Sequence, residues 1–242
     1  MVQKSTQKSK IKPQKAKTTL IILTRNEIEG VKSIIKKIPL KSVDEYFAVD
    51  YKSTDGTVDF FNKHEVPVIT QTKPGRAEAF RIAVKYAKGD YLIFFSPDGN
   101  ENPKDIPLLI KELKNDADLV IASRFMKDSR NEEDDLIIKP RKWANMAFTL
   151  AANVLFRRHG KYVTDSINGY RGIRKDVFNR LKLDAEGFAI EYQMTMRSMK
   201  LKLNIKEIPT IESERIGGKS GSRAIPTGLK FVYYLLREIF IR

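Results

Sequence analysis

Residues 18–27 have the sequence TTLIILTRNE, a short apolar run that ends in polar residues. Its first seven residues are all β-branched or leucine, which predicts a buried β-strand. The polar end opens a segment whose apolar residues recur at helical spacing as far as Ile38. The chain repeats this order of strand and helix, so the first stretch sets the pattern for the fold.

Four more apolar runs predict strands, with helical segments between them. They are DEYFAVD (44–50), VPVIT (66–70), DYLIFFS (90–96) and ADLVIAS (117–123). Nearly continuous apolar strands are typical of parallel sheets that are covered on both faces. The alternation therefore predicts an α/β fold, a doubly wound and mostly parallel sheet with helices on both faces, whose ligands bind at the carboxyl ends of the strands.

The alternation stops after residue 123. A charge-dense loop (128–135) is followed by a long predicted helix, Lys139–Arg158, then by further helices and a late strand in LNIKEIPTIES (203–213). A basic, glycine-rich loop (215–223) precedes an amphipathic helix at 226–242. That helix is predicted either to lie in a membrane interface or to pack on the domain or a second subunit.

Composition excludes several function classes. The 242 residues contain no cysteine and two histidines, which excludes disulfides, thiolate zinc sites and a cysteine nucleophile. The net charge is +15, and residues 1–17 alone carry six lysines, which predicts a disordered basic tail and anionic partners. A nucleic-acid-binding protein stays an alternative, but the sequence lacks the usual nucleic-acid-binding motifs, so we expect no nucleic acid.

Four polar strings lie at predicted strand ends and should converge on one crevice. They are LTRNE (23–27), VDYKSTDGT (49–57), TKPGRAEA (72–79) and FFSPDGNENP (94–103). A carboxylate at such a position can bind a ribose or a base, or hold a magnesium or manganese ion that bridges two phosphates. Lys73 and Arg76 flank a glycine and could neutralise a diphosphate.

These strings resemble the motifs of family 2 glycosyltransferases with the GT-A fold, and most closely those of polyprenyl-phosphate sugar synthases of the dolichyl-phosphate mannose synthase type. The resemblance extends to ASRF (122–125), TDSINGYRGIRKDVF (164–178), GFAIEYQ (187–193) and EIPTIESERIGGKS (207–220). It covers about residues 18–223. It implies a glycosyltransferase domain at 18–225, with acceptor-side helices toward its C-terminal end.

The implied activity is inverting transfer from a UDP- or GDP-linked sugar to a polyprenyl phosphate, with Mg²⁺ or Mn²⁺, by a cytoplasmic enzyme peripheral to the membrane face. The resemblance places these residues near the nucleotide sugar: Thr24, Asn26, Glu27, Asp50, Lys73, Arg76 and Asp98. It places Arg124, Arg141 and Arg215 near the acceptor phosphate, and it makes Asp98 the metal ligand. Asp98, Asp165 and Glu191 are the implied catalytic residues.

Two alternatives stay open at this stage. If the acceptor is a hydroxyl group of a glycan or lipid-linked oligosaccharide, a carboxylate must take its proton, with Asp165 the first candidate and Glu191 the second. The three arginines either share a phosphate or pair separately with nearby carboxylates. The chain also departs from the family pattern, because Ser96 replaces the first aspartate of the D-x-D motif and Tyr51 replaces an aspartate or glycine. Weak or dispensable metal dependence therefore stays open.

Overall fold

The computed structural model describes residues 16–217 and 224–241, so the predicted basic tail lies outside the described residues except for Ala16 and Lys17. Within those ranges the chain forms seven strands and eight α-helices. The strands are β1 (Thr18–Thr24), β2 (Glu45–Asp50), β3 (Val68–Thr70), β4 (Tyr91–Phe95), β5 (Leu119–Ser123), β6 (Arg171–Arg174) and β7 (Ile205–Pro209). The helices are α1 (Ile28–Ile34), α2 (Thr57–Lys63), α3 (Arg76–Tyr86), α4 (Ile106–Lys114), α5 (Pro140–Phe156), α6 (Lys175–Leu181), α7 (Ala189–Lys200) and α8 (Ala224–Phe240).

The strands form one sheet in the order β3-β2-β1-β4-β6-β5-β7. All neighbouring pairs are parallel except those of β6, which runs antiparallel to both β4 and β5. Each face of the sheet has its own apolar core, with Leu20 and Ile22 on one face of β1 and Ile21 and Leu23 on the other. The predicted doubly wound fold with helices on both faces is confirmed.

Several helix boundaries differ from the sequence prediction, and a proline accounts for two of the differences. The helical spacing that continues to Ile38 ends as α-helix at Ile34, and Ile35–Lys37 form a 3-10 turn. Ile38 is extended because it precedes Pro39, and a residue before proline is disfavoured in the α region. The last helix begins at Ala224, earlier than predicted, because Pro226 falls in its first turn, where no backbone N–H is needed.

Helix α8 packs on the domain through one face. Phe231 contacts the rings of Phe148 on α5 and Tyr192 on α7, with centroid distances of 5.3 and 5.4 Å. The buried Glu238 accepts hydrogen bonds from Arg197 and Lys200 of α7 at 2.8 and 3.0 Å. The opposite face leaves large apolar side chains exposed: Ile225, Leu229, Tyr233, Leu236 and Phe240.

Within residues 16–217 and 224–241, no helix is both long and apolar enough to cross a bilayer.

Candidate active site

The loops that follow β1 and β2 are joined by hydrogen bonds. The Asn26 N–H donates to Ser53 Oγ at 2.8 Å, and Asn26 Oδ1 accepts from the Thr54 N–H at 2.8 Å. Asp55 accepts from the Ile28 N–H at 3.0 Å, which satisfies a backbone donor at the start of α1. These contacts place two of the predicted nucleotide strings side by side at the carboxyl edge of the sheet.

Thr24 and Asp50 are register partners on β1 and β2 and both are buried. The Asp50 carboxylate accepts hydrogen bonds from the backbone N–H and the hydroxyl group of Ser53. In this conformation Asp50 therefore orders the loop after β2 and does not face solvent. A direct contact between Asp50 and a base or ribose stays a prediction, as does a role for Lys73, which lies exposed in the loop before α3.

The centre of the site is an ion-paired trio. Arg215 Nη1 donates to Asp98 Oδ2 at 2.8 Å, and the same guanidinium pairs with Glu27. Burial raises the pKa of Glu27 to about 7, with Arg215 opposing the rise and the Asp98 charge adding to it. An open cavity of about 290 Å³ adjoins the trio, lined by residues of the loops after β1 and β2 and by Ile216. The structure thus brings the predicted residues of β1 and β4 together with Arg215.

Ser96 stands where the family pattern has an aspartate, and it contacts one acidic and one basic side chain. Its backbone N–H donates to Glu101 Oε2 at 2.7 Å, and its hydroxyl group accepts from Arg76 Nη1 at 3.3 Å. Burial raises the pKa of Glu101 to about 8, the Asp98 charge adds to the rise, and Arg76 opposes it. Arg76 thus approaches the position that a first metal-binding carboxylate would occupy.

The candidate base Asp165 is placed differently from the expectation. Its side chain is fully buried, and it accepts hydrogen bonds from Arg124 Nε and Nη2 at 2.7 and 3.2 Å. Burial alone would raise its pKa, but Arg124 and backbone donors, including the Asn168 N–H, hold that pKa below the ordinary value. In this conformation the carboxylate is buried and fully hydrogen-bonded, and it holds Arg124; a role for Asp165 as the base stays a prediction.

The second candidate, Glu191, is also buried, with an exposed fraction of 1%. It pairs with Arg76, while its Oε2 atom has no hydrogen-bond partner among the residues that the structure describes. Arg76 lies flat against Gly169, where an added Cβ would be 1.9 Å from the guanidinium. Glu191 therefore holds Arg76 beneath the site, and this conformation gives it no direct access to an acceptor.

Each of the three predicted acceptor arginines is paired with a carboxylate. Arg124 contacts Asp165 and also Glu212 at 3.5 Å, and Arg215 contacts Glu27 and Asp98. Arg141 lies 3.5 Å from Glu132, whose carboxylate accepts from Asn100 Nδ2 at 3.3 Å. The alternative of separate ion pairs therefore describes this conformation, although two of the pairs contact residues 98–100, through Arg215 on Asp98 and Glu132 on Asn100.

Two residues near these pairs were not singled out by the sequence analysis. Glu212 contacts Arg124 and accepts from Asn131 Nδ2 at 2.6 Å, which ties the end of the β7 segment to the charged loop. Arg171 is completely buried and donates to the backbone oxygens of Asn168 and Glu191. Glu212 lies inside a motif string that the resemblance had matched, so its position in that string was the only available signal.

Oxygen atoms suited to a divalent cation are few but present. Within the two described ranges, no three acidic or histidine side chains cluster as metal ligands. Asp98 is partly exposed, and the neighbouring Asn100 Oδ1 is a buried acceptor without a hydrogen-bond partner in the described chain. A carboxylate and an amide oxygen fit Mg²⁺ or Mn²⁺ when a diphosphate completes the coordination.

The mostly parallel sheet, with these charged groups at the carboxyl edge of β1 and β4, has the GT-A fold. The chain belongs to glycosyl transferase family 2, whose family model matches residues 19–182. The resemblance inferred from the sequence motifs is thereby confirmed.

Several relatives are named as mannosyltransferases or mannose synthases that act on polyprenols or their phosphates. The chain is 27% identical to a dolichol-phosphate mannosyltransferase of Pyrococcus furiosus over 93% of its own length, but spans 63% of that protein. It is 29% identical to an undecaprenyl-phosphate mannosyltransferase of Micrococcus luteus, covering 83% of this chain and 85% of the relative. Among solved structures, the chain matches glucosyl-3-phosphoglycerate synthase from Mycobacterium tuberculosis, which was crystallised with Mn²⁺, uridine diphosphate and phosphoglyceric acid. The TM-score is 0.72 at 20% identity, and the match covers 94% of this chain and 80% of that one. This structural match supports the fold.

Proposed function

We propose that this protein transfers a sugar from a UDP- or GDP-linked donor to a polyprenyl phosphate at a membrane surface. The observation that carries the proposal is the pair of guanidinium groups near Asp98: Arg215 contacts it, and Arg124 contacts Glu212, three residues before Arg215 in the chain. Relatives named for transfer to dolichol phosphate and undecaprenyl phosphate support the same acceptor class.

On the donor side, Asp98 and Asn100 would hold a Mg²⁺ or Mn²⁺ ion next to the diphosphate. The ion would stabilise the negative charge that develops on the leaving diphosphate when the glycosidic bond breaks. Lys73, exposed before α3, would add a second positive charge at the mouth of the site. The loops fixed by Asn26 and Ser53 would position the nucleoside.

On the acceptor side, a phosphate is already anionic at neutral pH and needs no base to attack the anomeric carbon. That requirement agrees with the burial of Asp165 and Glu191, because neither side chain is exposed to a bound acceptor in this conformation. Arg124 and Arg215 keep 13% and 22% of their side chains exposed, so both can reach a phosphate if they exchange a carboxylate partner.

The exposed apolar side chains provide a surface for a lipid acceptor. Helix α8 contributes its outer face, and α5 exposes Trp143, Met146, Leu150 and Val154. The loop before α5 adds Ile137, with an exposed fraction of 96%. Exposed apolar side chains of this kind, on helices that also carry basic residues, suit a peripheral attachment to the bilayer interface.

A second candidate is transfer to a hydroxyl group of a glycan. The observation that favours it is that each of the three arginines already has a carboxylate partner, so none requires a phosphate for charge balance. This alternative needs a base. Its product is a glycoside and not a sugar phosphodiester, so the two candidates can be distinguished by their products.

The test is a donor and acceptor screen. Radiolabelled UDP- and GDP-sugars are incubated with vesicles that contain undecaprenyl or dolichyl phosphate, and the lipid extract is analysed for label. We expect label in a lipid from which mild acid releases the sugar, because a glycosyl phosphate bond is acid-labile, and no label with Asp98→Ala. A parallel reaction supplies a neutral glycan or a lipid-linked oligosaccharide as the acceptor. Label in either of these would favour transfer to a hydroxyl group.

A further inference from the structure

We propose that Arg215 is a built-in counter-cation of the donor site, which occupies Asp98 and Glu27 in the donor-free protein and must leave them when a divalent cation binds. The inference rests on the proposed function in one respect, namely that a cation accompanies the donor. It assigns Arg215 a role before any acceptor arrives, and it makes the cation affinity of the free protein depend on this one side chain.

The first observation is the position of the guanidinium between two carboxylates from different strands. Nη1 lies 2.8 Å from Asp98 Oδ2 after β4, and the neighbouring Nη2 contacts Glu27 after β1. The exposed fractions of the three side chains are only 22%, 15% and 12%. Two partly desolvated carboxylates at this spacing repel each other, so a cation between them stabilises the arrangement.

The second observation is that the backbone around Arg215 is fixed to the loop after β4. The Ser213 N–H donates to the Asn100 carbonyl oxygen at 3.0 Å, and the Ile216 N–H donates to the Asp98 carbonyl oxygen at 2.8 Å. Ile216 packs directly on Gly99, where an added Cβ would lie 2.7 Å from the isoleucine side chain. We name residues 213–217 the strap. The backbone of the strap is therefore held against residues 98–100, which places the Arg215 side chain next to Asp98.

The third observation is that both Asp98 oxygens are already in use. Oδ1 accepts from the Asn100 N–H at 3.2 Å, and Oδ2 accepts from Arg215. Because Ser96 supplies no second carboxylate, a divalent cation would rely on the Asp98 carboxylate, which Arg215 now neutralises, together with Asn100 Oδ1. A guanidinium and a divalent ion in contact with one carboxylate repel strongly, so binding of the ion and release of Arg215 are coupled.

Released Arg215 would remain close to the acceptor-side arginines. Glu212, three residues earlier in the chain, contacts Arg124 at 3.5 Å. The guanidinium that leaves Asp98 is therefore near the place where an anionic acceptor would bind. The positive charge of Arg215 would therefore become available to an anionic acceptor only after a cation has displaced it from Asp98.

The test measures binding of Mn²⁺ alone to the full chain, by the electron paramagnetic resonance signal of the free ion. We expect Arg215→Ala to bind Mn²⁺ about tenfold more tightly than the wild type, because the competing cation is gone; tenfold corresponds to about 1.4 kcal/mol. Two matched controls lose the same charge elsewhere. Arg174→Ala removes a guanidinium that pairs with Asp176 on the surface, and Arg25→Ala removes one stacked on Tyr51. Both should change the affinity by less than about twofold.

Equal or weaker Mn²⁺ binding by Arg215→Ala would overturn the proposal, and so would an equal gain in the Arg25→Ala control. Arg215→Lys provides a second variant in case the alanine variant does not fold: its single ammonium group is expected to contact one carboxylate and give an intermediate affinity. Affinity of Arg215→Lys at or below that of wild type would likewise overturn the proposal. The glycosyl-transfer assay is separate from Mn²⁺ binding. If Arg215→Ala gains Mn²⁺ affinity as expected but the wild type labels no lipid, the proposed acceptor is refuted and the role of Arg215 stands.

Discussion

Replacement of Asp165 by asparagine separates a positioning role from a catalytic one. The carboxylate is fully buried and binds Arg124 through two side-chain nitrogens at 2.7 and 3.2 Å, while Arg124 is 13% exposed. Removal of one partner from a buried ion pair costs about 3–5 kcal/mol. Asparagine keeps the shape, and Glu212 remains 3.5 Å from the guanidinium, so we expect the lower end, about 3 kcal/mol.

For a chain of this size, about 3 kcal/mol corresponds to a fall in melting temperature of about 6–12 °C. Thermal and urea unfolding of Asp165→Asn measure that loss, and Asp176→Asn is the control, because it breaks an exposed pair and should change stability by about 0–1 kcal/mol. Transfer by Asp165→Asn should show a raised acceptor KM, with the pH profile of kcat unchanged. A variant with wild-type stability, abolished transfer and an altered pH profile would refute the positioning role and restore Asp165 as the base.

Three further outcomes are expected. Asp98→Ala should reduce transfer at least a hundredfold with wild-type circular dichroism, whereas a fully active or unfolded variant would contradict its place in the site. Gly30→Ala should lower both activity and melting temperature, because its Cβ would lie 2.3 Å from the Pro97 carbonyl oxygen and displace the loop that carries Asp98; unchanged kinetics would show that this loop is free to move. Burial tends to raise the pKa of Glu238, but its hydrogen bonds hold that pKa below the ordinary 4.5, so its ionised form stabilises the fold above that pH and the contribution is lost as pH falls through the lowered value. Glu238→Gln should therefore unfold with a shallower dependence on pH in the acid range, and an identical pH–stability curve would exclude this role.

The sequence was sufficient for the sheet and for the edge at which the site lies. Apolar runs with polar ends placed Glu27 and Asp98 at the carboxyl ends of β1 and β4, and these strands are neighbours in the sheet. The direction of β6 could not be read, because a four-residue strand such as RGIR carries no periodicity that distinguishes parallel from antiparallel pairing.

The partners of the charged residues were beyond the reach of the sequence. Motif matching named Arg124, Asp165 and Arg215 singly, but whether a carboxylate faces solvent or a guanidinium depends on packing between segments far apart in the chain. Asp165 meets Arg124 because the segment that precedes β6 lies beside the end of β5, where the Ala122 N–H donates to the Tyr170 carbonyl oxygen. The ion pair therefore follows from the strand order and not from local propensity.

The reversed strand β6 also sets the order in which the molecule can be assembled. Because β6 lies between β4 and β5, strand β5 has no partner among the strands that precede it, and it pairs only with β6 and β7. On a ribosome, β1 to β4 can associate as they emerge, whereas the apolar β5 must wait for the long segment up to Arg174. That interval exposes Leu119 to Ala122, which are all fully buried in the finished fold. Chaperone demand and aggregation of truncated chains should therefore peak for lengths between the ends of β5 and β6.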